Sequence, residues 1–269
     1  MTRSASPQTT GSTAEVPDVF GFTALARDAR PEPPAHRDII RTAGHELRTP
    51  LNGILGIVGV LRRQLDRPVD ANRQRSHLDL IEANATALVQ TIDDLLILGR
   101  YQPGQAVTLD ESVHVREILR ASAQSWRQTA DERHLRLSLT DGPDAVVRSD
   151  PRLLRQILDR LVANAVRYTA EGAVELSVHP TTSEGSARIE IRDTGPGIPT
   201  SERARMFAPF VRGTAGTSDA SASAGLGLTV VARLAALLRL TVDITDNHPL
   251  RGTCFTLTFD APALAGRSA

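Results

Sequence analysis

Residues 40–65, IRTAGHELRTPLNGILGIVGVLRRQL, place Ile40, Gly44, Leu47, Leu51, Ile54, Val58, Leu61 and Leu65 at alternating steps of four and three. Leu78, Ile81, Ala85, Leu88, Ile92, Leu95 and Gly99 repeat the pattern. A spacing averaging about 3.5 residues is the seam of supercoiled helices rather than the face of an isolated surface helix. Between the two stretches, Asp66-Arg67-Pro68-Val69-Asp70-Ala71-Asn72 supplies a helix-stopping proline and capping side chains. The expectation is a helical hairpin. Two antiparallel helices share only a thin core, so two copies forming a four-helix bundle would bury both seams. A hairpin packed on the rest of the chain is the alternative use of the same surface.

After Gly99-Arg100-Tyr101-Gln102-Pro103-Gly104 the pattern changes. Strands are expected near 135–139, 145–148, 173–178, 187–192, 241–245 and 253–259, with alternation as in Val174-Glu175-Leu176-Ser177-Val178. Helices expected near 113–130, 151–168 and 226–238 would cover one face of the sheet. The fold class is therefore α+β and multidomain: a hairpin domain over 36–103, then a two-layer α/β sandwich over 106–262. Residues 1–35 are rich in Ser, Thr, Pro and Ala and read as a disordered tail, with 263–269 as a second tail. The run Val19-Phe20-Gly21-Phe22 reads as a stray apolar cluster within the first.

Composition removes several mechanisms. Basic and acidic residues number 31 each, so no net charge draws the chain to nucleic acid or an anionic membrane. All the basic residues are arginine. A Walker lysine, a kinase-strand lysine and a Schiff-base lysine are thus excluded. Nucleotide phosphates would have to be held by backbone amides, a metal ion or arginine. The single cysteine, Cys254, has no disulfide partner and reads as a buried strand residue. No stretch approaches the ~20 apolar residues of a membrane span, and the polar start lacks a signal peptide's apolar core. The expected location is cytoplasmic.

Four places carry chemistry. In Gly44-His45-Glu46-Leu47-Arg48-Thr49-Pro50, the seam turns Gly44 and Leu47 inward and His45 outward. An imidazole beside a carboxylate is suited to nucleophilic attack, although a surface histidine with an acidic neighbour is the plainer account of these two residues alone. Pro50 should bend the helix one turn further on. Asp193-Thr194-Gly195-Pro196-Gly197-Ile198-Pro199 ends a strand with glycines that admit a flat ligand, and Asp193 can accept a hydrogen bond from an exocyclic amine. Ala224-Gly225-Leu226-Gly227-Leu228 opens a helix whose free amides favour phosphate. Asn164 sits mid-helix in a mostly apolar stretch and needs a polar partner, for which a hydrated Mg²⁺ is one candidate.

Taken in chain order, the segments around His45, Asn164, Asp193 and Gly225 resemble the H box, N box and two glycine boxes of the histidine protein kinases of two-component systems, whose ATPase domain is of the GHKL (Bergerat) type. Met206-Phe207-Ala208-Pro209-Phe210-Val211-Arg212-Gly213 resembles their F box, and Arg251-Gly252-Thr253-Cys254-Phe255 their last strand. The resemblance implies that His45 accepts phosphate from ATP, that Glu46 orients the ring and accepts a proton, and that Thr49 places water for dephosphorylating a partner. It implies Mg²⁺ on Asn164, adenine on Asp193, and a pocket shaped by Tyr168, Gly195, Gly197 and Thr253. Gly225, Leu226 and Gly227 would begin the phosphate-facing helix beneath a lid at about 213–224, with Arg167 and Arg212 as phosphate contacts. It also implies a homodimer, a response regulator receiver domain as partner, and input from a separate sensor protein or from a longer chain.

Two departures stand out. Arg160 occupies the earlier asparagine position of the N box, and Ser223-Ala224 replaces a Gly-Thr/Ser pair before Gly225. The lid departure keeps open a member dominated by phosphatase or scaffold activity, and the shared nucleotide fold leaves an ATP-gated clamp as a further alternative.

Overall fold

The computed structural model describes residues 36–64, 70–101, 104–181, 186–213 and 224–259, with side chains from 41 onward. Both expected tails, Leu65, residues 66–69 of the connection and 214–223 of the expected lid lie outside the described residues.

Helices α1 (His36–Arg63) and α2 (Ala71–Arg100) form the hairpin. The Asp70 carboxylate caps α2 by accepting from the Asn72 amide at 3.0 Å. Helix α1 continues through Pro50, whose side chain is buried. The face of α1 that packs on α2 includes Ala43, Leu47, Pro50, Ile54, Ile57 and Leu61, all buried or half-buried. Part of the expected seam is elsewhere: Leu51, Val58, Leu78 and Ile92 are exposed. Each helix therefore carries two adjacent apolar strips, one for its hairpin mate and one left uncovered in a single chain.

The second half follows as β1 (Glu111–His114), α3 (Val115–Glu132), β2 (Arg136–Leu139), β3 (Val146–Ser149), α4 (Pro151–Tyr168), β4 (Ala173–Pro180), β5 (Ala187–Asp193), α5 (Thr200–Arg203), a 3-10 turn (Ala204–Phe207), α6 (Gly227–Leu238), β6 (Leu240–Asp246) and β7 (Thr253–Phe259). Strands β2-β4-β5-β7-β6 form one sheet, in which β2 and β4 are parallel and the other pairs antiparallel. Helices α3, α4 and α6 form the second layer. Strand β1 pairs with β3 in a small separate sheet, where a helix starting at 113 was expected. His114 Nδ1 and the Arg116 amide both reach Asp144, and that anchoring delays the helix to Val115.

Helix α4 connects the core to the site. Pro151 occupies its first turn, and Asp150 caps it through the Arg152 and Leu153 amides at 2.8 and 3.1 Å. Leu154, Ile157, Leu158 and Leu161 are wholly buried on one face. The opposite face carries Arg160, Asn164 and Arg167, spaced by four and three, and is thereby left for a ligand.

Candidate functional site: a cleft between the sheet domain and the hairpin

That polar face of α4 borders a cleft of about 510 Å³, within the range of small-molecule sites. Asn164, Arg167, Tyr168, Asp193, Gly197, Arg212, Gly225, Leu226, Gly227 and Thr253 all line it. Gly195 does not; its amide instead donates to Asp193 Oδ1 at 2.9 Å.

Asp193 ends β5 and is 5% exposed. Its Oδ1 also accepts the Thr253 amide at 3.1 Å, so the carboxylate is aimed by backbone on two sides. Burial nevertheless holds the group above the usual carboxylate range, against the opposing pull of the Gly195 and Thr253 hydrogen bonds. Asn247 donates to the Asp193 carbonyl at 2.8 Å and fixes the strand end from behind. Gly252, at φ +125°, passes so close that an added Cβ would fall 1.9 Å from that carbonyl oxygen, so no side chain fits there.

At the other end of the cleft, α6 begins at Gly227 with no side chain capping its first turn. Gly225, Leu226, Gly227 and Leu228 around its start line the cleft, and the first amides of a helix lack intrahelical partners. The F-box segment braces this turn: the Phe210 amide donates to the Gly225 carbonyl at 3.0 Å. A Cβ on Gly225, which has φ +69°, would lie 2.8 Å from the Val211 carbonyl oxygen. Phe210 itself sits at φ +62°, a costly backbone conformation for a bulky residue and one that occurs at ligand-binding turns. Arg212 is exposed at the cleft.

One wall had no signal in the sequence. Ala87, Gln90, Thr91, Asp93 and Asp94 of α2 close the cleft from the hairpin side, and Trp126 of α3 lies beside them. Polar contacts join the two halves there. Arg160 Nε and Nη2 donate to Asp94 Oδ1 at 3.1 and 2.8 Å, and Arg167 Nη2 donates to Gln90 Oε1 at 3.3 Å. Arg233 of α6 donates to the Tyr101 carbonyl at 2.7 Å, tying the end of the hairpin to the same domain.

His45, Glu46 and Thr49 are not in the cleft. They lie on α1, where the His45 side chain is 79% exposed and its Nδ1 is 4.0 Å from Glu46 Oε1. Thr49 Oγ1 donates to the His45 carbonyl at 3.2 Å. An added Cβ on Gly53 would lie 2.8 Å from Asn84 Oδ1, so these two residues face each other across the hairpin. Counting eight residues back on α1 and eight forward on α2, about 12 Å along the antiparallel axes, brings His45 level with Ile92. The cleft wall at Gln90–Asp94 is therefore at the height of the histidine.

A deep carboxylate, an uncapped helix start and a polar helix face on a mixed two-layer sandwich define a nucleotide-binding domain, here joined to a helical hairpin bearing an exposed histidine. Comparison with known proteins assigns both halves. Residues 149–263 match HATPase_c, the histidine kinase-, DNA gyrase B- and HSP90-like ATPase family, and residues 35–104 match HisKA, the His Kinase A (phospho-acceptor) domain. The chain belongs to the sensor histidine kinases of two-component systems.

It is 29% identical over 238 residues to the autoinducer 2 sensor kinase/phosphatase LuxQ of Vibrio parahaemolyticus, covering 86% of this chain and 27% of LuxQ. It is 30% identical over 225 residues to the signal transduction histidine-protein kinase BarA of Escherichia coli, covering 81% of this chain and 24% of BarA. The chain thus spans about a quarter of the length of these curated relatives. Among solved structures, full-length ShkA in complex with AMPPNP superposes with a TM-score of 0.56 at 28% identity, covering 82% of this chain and 45% of ShkA. No described helix is long and apolar enough to cross a membrane.

Proposed function

We propose that this chain transfers the γ-phosphoryl group of ATP to His45 and then to an aspartate of a response regulator receiver domain. The observation that carries the reading is the cleft itself: a carboxylate suited to adenine at one end, helix amides suited to phosphate at the other, and a wall at the height of the histidine. The AMPPNP bound by ShkA supports an adenine nucleotide as occupant. ATP as donor supports a cytoplasmic location. The domains divide at 36–103 and 106–262.

Asp193 accepts the adenine amine, and Gly197, Tyr168 and Thr253 flank the ring, with Gly195 holding Asp193 in place. Gly225, Leu226 and Gly227 present amides to the phosphates, assisted by Arg167 and Arg212. Among the described residues no cluster of three or more His, Cys, Asp or Glu side chains could hold a metal by itself. Asn164 would hold Mg²⁺ through its amide oxygen, and the ion would supply charge neutralisation for the phosphates.

His45 attacks the γ-phosphorus through Nε2. An N–P bond forms as the bond from phosphorus to the bridging oxygen of the leaving ADP breaks. Glu46, facing Nδ1, holds that proton and balances the charge developing on the ring. In the second transfer a receiver carboxylate attacks the same phosphorus and His45 leaves as neutral imidazole. Thr49, one turn beyond His45 and exposed, is placed to orient water on a docked phosphoaspartate; the kinase/phosphatase LuxQ supports this role. The uncovered strip of Leu51, Leu55, Val58, Leu78, Val89, Ile92 and Leu96 supports a homodimer through the hairpin.

Incubation with Mg²⁺ and ATP is expected to give an acid-labile, alkali-stable phosphoprotein that loses its label to an added receiver domain. An acid-stable phosphoprotein, or ATP turnover without any phosphoprotein, contradicts the reading; the latter outcome favours the clamp ATPase.

A further inference from the structure

Arg160 stands where the N box usually carries an asparagine, and its contacts give that substitution a purpose. It lies one turn before Asn164 on the cleft face of α4, about 6 Å along the axis, and both residues line the cleft. Its guanidinium reaches out of the nucleotide domain to Asp94 of α2, 66 residues earlier in the chain. The two side chains are only 19% and 15% exposed. Arg167, further along the same face, is likewise turned to α2 through Gln90. In a chain without lysine, both cations beside Asn164 are thus held by the hairpin.

The hold is incomplete. Both guanidinium nitrogens donate to one carboxylate oxygen, Oδ1, rather than in the parallel two-oxygen fork that arginine forms with carboxylate or phosphate. Burial pushes the Asp94 carboxyl above the usual range, the neighbouring Asp93 pushes it the same way, and Arg160 only partly offsets them. A buried ion pair whose desolvation is not recovered yields to a better anion. A triphosphate has more charge and more acceptor oxygens than Asp94.

We propose that Arg160 is a phosphate-binding residue of the cleft, held by Asp94 until the terminal phosphate of ATP takes the carboxylate's place. Nucleotide binding and docking of the domain on α2 then compete for one guanidinium. Arrival of the triphosphate releases the domain from α2 at Asp94, while the contacts of Ile97, Leu98 and Tyr101 hold it at the far end of the helix. The inference rests on the cleft binding ATP.

The test is calorimetric titration of the full chain with AMPPNP, ADP and adenosine, in wild type, Asp94→Asn, Arg160→Gln and the double variant. Asp94→Asn is expected to tighten AMPPNP by about tenfold, the scale of a charge-assisted hydrogen bond, to tighten ADP less and to leave adenosine unchanged. Arg160→Gln weakens AMPPNP by a similar factor with adenosine unchanged, and adding Asp94→Asn to it gains nothing. Trp126, the only tryptophan of the chain, lines the cleft beside Asp94. Its emission should shift on AMPPNP binding and, without nucleotide, in Asp94→Asn. Equal AMPPNP affinity in wild type and Asp94→Asn overturns the exchange, as does equal tightening of adenosine. If Arg160→Gln loses adenosine binding as well, Asp94→Asn alone decides. Wild type that binds none of the three ligands defeats the nucleotide reading, and this proposal with it; wild type that binds AMPPNP, with Asp94→Asn unchanged, defeats this proposal alone.

Discussion

Leu154, Ile157, Leu158 and Leu161 of α4 are wholly buried, whereas Leu55, Leu78, Val89 and Leu96 of the hairpin are 57–65% exposed. The first set belongs to a core that one chain completes by packing three helices on a five-stranded sheet. The second belongs to helices with a strip to spare. One half closes its core within the chain, with help from Ile97 and Leu98 of α2, and the other leaves a strip of apolar side chains exposed. The two halves meet through Ile97, Leu98 and Tyr101, which pack against the domain's core, and through three polar contacts: Asp94 to Arg160, Gln90 to Arg167 and Tyr101 to Arg233.

The sharpest contrast comes from truncating each half. Leu158→Ala should remove about 3 kcal/mol from the unfolding of the nucleotide domain, because a fully buried site cannot collapse around the cavity. Denaturant melts followed through Trp126 would show it, and a loss below about 1 kcal/mol would mean that this core is looser than its burial. On the hairpin, Leu55→Arg with Leu96→Arg should leave that melt within about 0.5 kcal/mol. The same pair should weaken dimerisation at least about tenfold, read by sedimentation. A destabilised monomer with its dimer intact would assign the strip to the fold instead.

Asp193→Asn separates binding from stability. Because burial raises its carboxyl, ionisation costs the folded state: the stability linked to this group is full below the unfolded value and is lost as pH rises through the folded one. The asparagine keeps an acceptor for the Gly195 and Thr253 amides, so Tm at neutral pH should be unchanged or raised. ATP affinity should fall roughly tenfold to a hundredfold, and wild-type affinity should fall as pH drops through the elevated value. A lowered Tm with retained affinity would reverse the assignment. The smallest effect is expected for Thr49→Ala: its exposed hydroxyl bonds only the His45 carbonyl among the described contacts. Stability should change by less than about 0.5 kcal/mol and phosphohistidine formation little, while dephosphorylation of a receiver domain is lost.

How much of this could be read in the sequence depended on whether a signal was local. Helix α4 was expected at 151–168 and is found there, because Asp150, Pro151 and an unbroken apolar face all act within the segment. Strand β1 was missed because Glu111–His114 pairs with residues some thirty-five positions later and carries no alternation of its own. Asp193 and Gly225 were legible because an acid and a glycine at turns restrict the backbone wherever they occur. The α2 wall of the cleft was not, since Gln90 and Asp94 look like ordinary polar positions of an amphipathic helix until α4 is packed against them. The seam arithmetic placed His45 outward correctly but folded two apolar strips into one. A helix with two neighbours blurs a repeat that assumes one.

The proposed function joins the cleft and the exposed histidine of the hairpin in one reaction. The most direct measurement is labelling by ATP carrying a radioactive γ-phosphate in wild type, His45→Gln and Asn164→Ala, with AMPPNP affinity measured alongside. Label is expected in wild type only, with unchanged nucleotide affinity in His45→Gln and loss of label in Asn164→Ala through the cleft. Label persisting in His45→Gln at the wild-type level would contradict the proposed function.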